Sequence, residues 1–230
     1  VTAGRPPGAV LWDLDGVLVD TETVLFEAER EAFASHGVTI TPEFKRAFVG
    51  LGGDEVMAAM ADALGVDVDL ADLGRRKMAA YAAGLPFLRG FAPTAALVRA
   101  FAAAGVPQVV ASGSPREAIA AGLHVVGLDD VLTAHVSAAE VAAGKPAPDV
   151  FLEAARRVGV EPVDCLVVED AVPGVLAAKA AGMRCLAIPS VVDPLDERFE
   201  RADLVVRGGM AAADPEVLLA WALGSATMRG

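Results

Sequence analysis

The amino-acid sequence predicts an α/β protein, a Rossmann-like parallel sheet core that carries an inserted helical domain. Two observations point to the core. Short runs that are apolar on both faces alternate with Ala-rich helical stretches, and several of those stretches finish in glycine. A third points to the insertion: after the first apolar run comes a long segment with helical periodicity and no convincing strand. With 230 residues, 54% of them hydrophobic, the chain can bury one good core, or a core with a small second domain.

The apolar runs fall at 9–14, 108–111, 166–168, 184–188 and 204–206. Each is short and apolar on both faces, as a parallel strand covered by helices must be. The helical stretches of the core fall at 93–104, 115–126, 149–158 and 172–181. Gly105, Gly127, Gly159 and Gly182 follow them, where a helix C-terminus favours glycine. The insertion offers helices at 22–36, 42–49, 54–64 and 70–83. The expected division is therefore a discontinuous core, 1–20 with 86–230, and a helical domain at 21–85.

Composition narrows the partners. The net charge of −12 argues against nucleic acid and against an anionic membrane. No apolar run approaches the roughly 20 residues of a membrane helix. The opening VTAGRPPG has no charged segment followed by an apolar one, so no secretory signal is expected and a cytoplasmic setting is. Cys165 and Cys185 sit inside apolar runs and are expected to be buried free thiols. His36, His124 and His135 share no metal-ligand spacing and are expected to be structural.

Four short motifs carry chemistry. DLDGVLVDTE places Asp13 and Asp15 two apart where the first strand ends, so both carboxylates face one side. Gly16 then permits a tight turn beside a ligand. VVASGSP places Ser112 after the second predicted strand, with the N–H groups of Gly113 and Ser114 available to a phosphate. GKPAPD places Lys145 before two rigidifying prolines, in a chain whose lysines are only Lys45, Lys77, Lys145 and Lys179. CLVVEDAVPG places Glu169 and Asp170 at another strand end, and hard carboxylate oxygens suit magnesium. Each motif alone has an ordinary explanation: an exposed Asp-Gly turn, a helix cap, a surface lysine, an acidic helix start. All four, however, fall on the sheet edge where open α/β folds bind ligands. Two aspartates, a serine, a lysine and an acid pair together make a phosphoryl-transfer set.

In these motifs the chain resembles the haloacid dehalogenase superfamily. The resemblance covers nearly the whole chain, and the insertion is similar to the helical cap of the phosphatase branch that includes beta-phosphoglucomutase. It implies that Asp13 is nucleophile and magnesium ligand. It implies that Asp15 is general acid and base, with its backbone carbonyl on the metal. Ser112 and Lys145 would hold the transferring phosphoryl, Asp170 would bind Mg2+, and Glu169 would bind it directly or through water. Thr21 and Lys77 would serve the substrate side, with Tyr81 one turn beyond Lys77. The cap would close to keep water out until the ester is placed.

Two departures bear on the reaction. Beta-phosphoglucomutase carries a histidine where this chain has Leu25 and an arginine where it has Gly53. Both departures argue against mutase chemistry and leave hydrolysis untouched. Dehalogenases lack the second acid, which is present here as Asp15. An Asp13 carboxylate ionised at neutral pH needs no base, but it repels a phosphate. Two unit charges about 4 Å apart repel by about 4 kcal/mol at an effective dielectric of about 20. Magnesium and Lys145 would offset that repulsion. Asp15 would give a proton to the leaving alkoxide and then take one from water. Three readings stay open: a phosphatase of a small phosphorylated metabolite, which the departures favour, a phosphomutase, and a non-enzymatic phosphate sensor. Neither the substrate nor the oligomeric state is readable.

Overall fold

The computed structural model describes residues 5–48, 53–192 and 195–225. The chain divides into two compact units, Val1–Asp20 with Arg89–Gly230, and Thr21–Leu88.

In the first unit a six-stranded sheet runs in the order β3-β2-β1-β4-β5-β6. Its strands are β1 Ala9–Trp12, β2 Gln108–Ser112, β3 His135–Ser137, β4 Cys165–Glu169, β5 Arg184–Ala187 and β6 Leu204–Val205. Every pairing is parallel. β1 lies between β2 and β4 and is fully buried, which is why its sequence is apolar without alternation. The expected fold class is borne out. β1 stops two residues short of the expected 9–14 run, because Asp13 and Leu14 already belong to the turn that follows. β3 is not among the expected strands. It has three residues, His-Val-Ser, and no apolar run to announce it.

The second unit is helical: α1 Thr21–Ala34, α2 Pro42–Arg46, α3 Gly53–Leu64 and α4 Leu70–Gly84. Phe33, Ile40, Met57, Met60 and Leu73 form its core. Thr41 caps α2 and Asp69 caps α4, each accepting a backbone N–H from the first turn.

The core helices are α5 Ala92–Ala103, α6 Arg116–Val125, α7 Asp149–Val158, α8 Val172–Ala180 and α9 Pro215–Ala222. Alternation along β1 sorts its contacts by face. Ala9 and Leu11 pack with Phe151 and Ala154 of α7 and Val175 and Ala178 of α8. Trp12 points the other way and meets Phe101 of α5 edge-on, with ring centroids 6.2 Å apart. α9 is absent from the sequence-based expectation, although Asp214 and Pro215 mark its start: the carboxylate accepts the N–H groups of Glu216 and Val217. Its Trp221 is buried beneath the Arg184 guanidinium, 4.8 Å from the ring centroid. Both cysteines are free and buried, and burial pushes the Cys165 thiol up to about 11. No helix among the described residues is long and apolar enough to cross a membrane.

Candidate active site

The strand order reverses across β1 and β4, and ligands of open α/β sheets bind beyond the carboxyl ends of strands at such a point. Asp13 leaves β1 there, with its N–H donated to Val168 O of β4 at 3.0 Å. The next residues fold tightly: the N–H groups of Leu18 and Val19 both reach Leu14 O. Gly16 sits at φ 80°, a left-handed conformation that other residues adopt at a cost. A methyl group on it would stand 2.6 Å from Asp170 Cγ, so glycine is needed for space as well as for conformation.

Three carboxylates meet at this edge. Asp13, Glu169 and Asp170 each present an oxygen within 4.8 Å of the others, and all three are buried. Lys145 enters from the loop before α7. Its Nζ pairs with Asp13 Oδ1 and donates to Glu169 Oε1 at 2.6 Å, and it stands 4.9 Å over the Phe151 ring. Glu169 Oε2 accepts the N–H groups of Asp170 and Ala171 at 2.9 and 3.0 Å. Three carboxylates against one ammonium leave the cluster short of positive charge. Burial first, then the neighbouring Glu169 and Asp15 charges, push Asp13 up to about 7 against the pull of Lys145. Burial and the Glu169 and Asp13 charges hold Asp170 well above the carboxylate range. Burial works against the Lys145 charge, yet Asp13 and Glu169 outweigh it and raise the ammonium above its ordinary range. Burial thus disfavours the Asp13 carboxylate and the Lys145 ammonium favours it. A cation at this position would favour its carboxylate form.

Asp15 lies outside that cluster. Its Oδ2 accepts Ser114 Oγ at 2.8 Å and faces Ser112 Oγ at 3.4 Å. Ser112 ends β2, buried, and accepts the Ser114 N–H at 2.9 Å. Gly113 is exposed, and a methyl group there would meet open space. Ser137 of β3 buttresses this loop by donating its hydroxyl to Ser114 O at 2.7 Å.

The structure thus brings together Asp13, Asp15, Ser112, Gly113, Lys145, Glu169 and Asp170 in one unit. Thr21 and Lys77 belong to the helical unit. Thr21 opens α1, and Lys77 is buried on α4 with its ammonium 3.2 Å from Glu29 Oε1. Glu29 Oε2 also pairs with Lys45. Gly50, Leu51 and Gly52, which precede Gly53, lie outside the described residues. Sequence reasoning missed the Ser114 hydroxyl, Ser137 and Glu29. Only Glu29 left a signal: an acid on the buried stripe of α1, one residue after Ala28 and four before Phe33.

A parallel α/β sheet with an acid cluster and a lysine at its carboxyl edge can hold a cation and an anionic group side by side. Residues 7–182 match the family model of haloacid dehalogenase-like hydrolases. The chain belongs to that family. It is 30% identical to hexitol phosphatase B of Escherichia coli over 85% of this chain and 90% of that one. It is 32% identical to a bifunctional riboflavin kinase/FMN phosphatase of Arabidopsis thaliana over 79% of its length, and spans about half, 48%, of that longer protein. A structure from Thermotoga maritima, provisionally assigned as a beta-phosphoglucomutase, superposes with TM-score 0.77. Its identity is 26%, over 92% of this chain and 96% of that one. The resemblance read from the motifs is borne out.

Proposed function

We propose that the chain is a magnesium-dependent phosphatase that hydrolyses a small phosphorylated metabolite through an aspartyl-phosphate on Asp13. One observation carries the reading: the buried Asp13–Glu169–Asp170 cluster holds a lysine and still lacks positive charge. Hard oxygens, buried and close together, fit magnesium. Asp13, Asp170 and the backbone carbonyl of Asp15 would hold it, with Glu169 alongside. When bound, it neutralises charge on the phosphoryl oxygens and so allows a carboxylate to approach them.

In the first step Asp13 Oδ attacks phosphorus in line, and the bond from phosphorus to the ester oxygen breaks. The departing alkoxide takes a proton from Asp15. In the second step Asp15 takes a proton from water, whose oxygen attacks phosphorus. The phosphorus–Asp13 bond breaks, and inorganic phosphate and the Asp13 carboxylate are left. Lys145 stays charged throughout and draws the phosphoryl group toward Asp13. Ser112 and the Gly113 N–H grip its oxygens. The helical unit, with Thr21 and Lys77, is assigned the choice of substrate. The named activities of the relatives support hexitol phosphates and FMN as first candidates.

The test is phosphate release from a panel of hexitol phosphates, sugar phosphates, FMN and nucleotides. Release that depends on magnesium and vanishes in excess chelator supports the reading. Equal turnover with and without chelator refutes it.

A further inference from the structure

Resting on the phosphatase reading, we infer that Gly174 is a positioning residue of the site: the gap it leaves in α8 seats the Glu169 carboxylate that holds Lys145 against Asp13. Gly174 is the third residue of α8. Glycine is a poor helix former, and no positive φ calls for it there. What it supplies is space. A methyl group built on it would land on the Glu169 carboxylate, 2.5 Å from Oε2 and nearer still to Oε1 and Cδ.

Of the other crowded glycines, Gly16 faces the Asp170 carboxylate and Gly209 a backbone carbonyl, whereas Gly84 faces the tip of Val24. Such a tip can turn aside. Glu169 cannot, because both its oxygens are engaged. Oε2 accepts two backbone N–H groups, and Oε1 accepts Lys145. Moving the carboxylate breaks those bonds and leaves Lys145 with Asp13 alone among its carboxylate partners. The ammonium that should receive the phosphoryl group then loses its fixed place. A chain of contacts thus runs from a residue that touches no substrate, through Glu169 and Lys145, to the nucleophile.

Gly174→Ala is expected to lower kcat by about 10- to 100-fold, the size of effect that removing an outer-shell partner has, with a smaller change in KM. It should also weaken the binding of inorganic phosphate, measured by calorimetry in excess magnesium on protein shown to be folded by circular dichroism. Glu169→Asp, one methylene shorter, should partly restore both kcat and phosphate affinity in the Gly174→Ala background. A Gly174→Ala protein with unchanged kcat and unchanged phosphate affinity overturns the inference. So does a double variant in which the two losses simply add. If Gly174→Ala does not fold, Gly174→Ala/Glu169→Ala must fold, because the side chain to be displaced is gone; its failure to fold overturns the inference as well. A wild-type protein that releases no phosphate from any ester refutes the phosphatase reading instead, and the calorimetric comparison still decides the role of Gly174.

Discussion

At the scale of single residues the two aspartates of the first motif have separate surroundings, and separate tests follow. Asp13 is buried among acids and lysine, whereas Asp15 is half-buried and faces two serine hydroxyls. Asp13→Asn should abolish phosphate release and leave circular dichroism and melting unimpaired, since it removes a charge from a cluster with too many of one sign. Residual turnover beyond traces would rule Asp13 out as nucleophile. Asp15→Asn should slow alkyl phosphates by about 10²- to 10⁴-fold and nitrophenyl phosphate far less, because only a poor leaving group needs a strong proton donor. An equal loss on both esters would deny Asp15 the role of acid. Most of the site was legible at this scale because strand ends aim side chains predictably: Asp13 after β1, Ser112 on β2, Glu169 on β4. The Ser114 hydroxyl was not, since a loop side chain takes its direction from tertiary contacts that no local pattern encodes.

At the scale of elements, two ion networks tie helices together. Glu140, just after β3, accepts the Ser137 N–H and guanidinium groups from Arg116 of α6 and Arg157 of α7. The Arg157 guanidinium, the Ser137 N–H and then Arg116 hold its carboxyl down to about 2. A carboxyl with a depressed folded pKa stabilises the fold above its unfolded value, about 4.3, and loses that contribution as pH falls toward the folded one. Glu140→Gln should therefore melt at a lower temperature than wild type at pH 6, and the gap should narrow toward pH 2.5. A gap independent of pH would mean that the carboxylate charge contributes nothing. In the helical unit Glu29 is buried against Lys45 and Lys77. Glu29→Ala leaves the buried Lys77 and the half-buried Lys45 without that counter-charge and should destabilise the unit by about 3–5 kcal/mol, read from denaturant melts. Long helices were legible because their period repeats, and the central strands because a short run apolar on both faces stands out. β3 and α9 were not: three residues carry no period, and α9 was passed over despite its Asp-Pro start.

At the scale of the whole molecule, magnesium bound at the acid cluster would couple the stability of the fold to the ion. Magnesium at about 100 times its dissociation constant should raise the core's melting temperature by about 5–10 °C, and Asp170→Asn should remove most of that shift. No shift in the wild type would refute magnesium as the ion. Hydrolysis against isomerisation is decided by phosphorus NMR on glucose 1-phosphate primed with the 1,6-bisphosphate. Free phosphate should appear faster than glucose 6-phosphate, and the reverse would make the chain a mutase. The sheet also dictates an order of assembly. β1 is made first, yet Leu11 lies between Val109 and Val167, so its strand stays unpaired until both neighbours have been synthesised. The helical unit, continuous in sequence, needs no such wait. On the ribosome it should become resistant to protease while the first strand is still exposed. Asp13, the proposed nucleophile, therefore precedes the rest of its site in the chain and waits for β2 and β4 to be made.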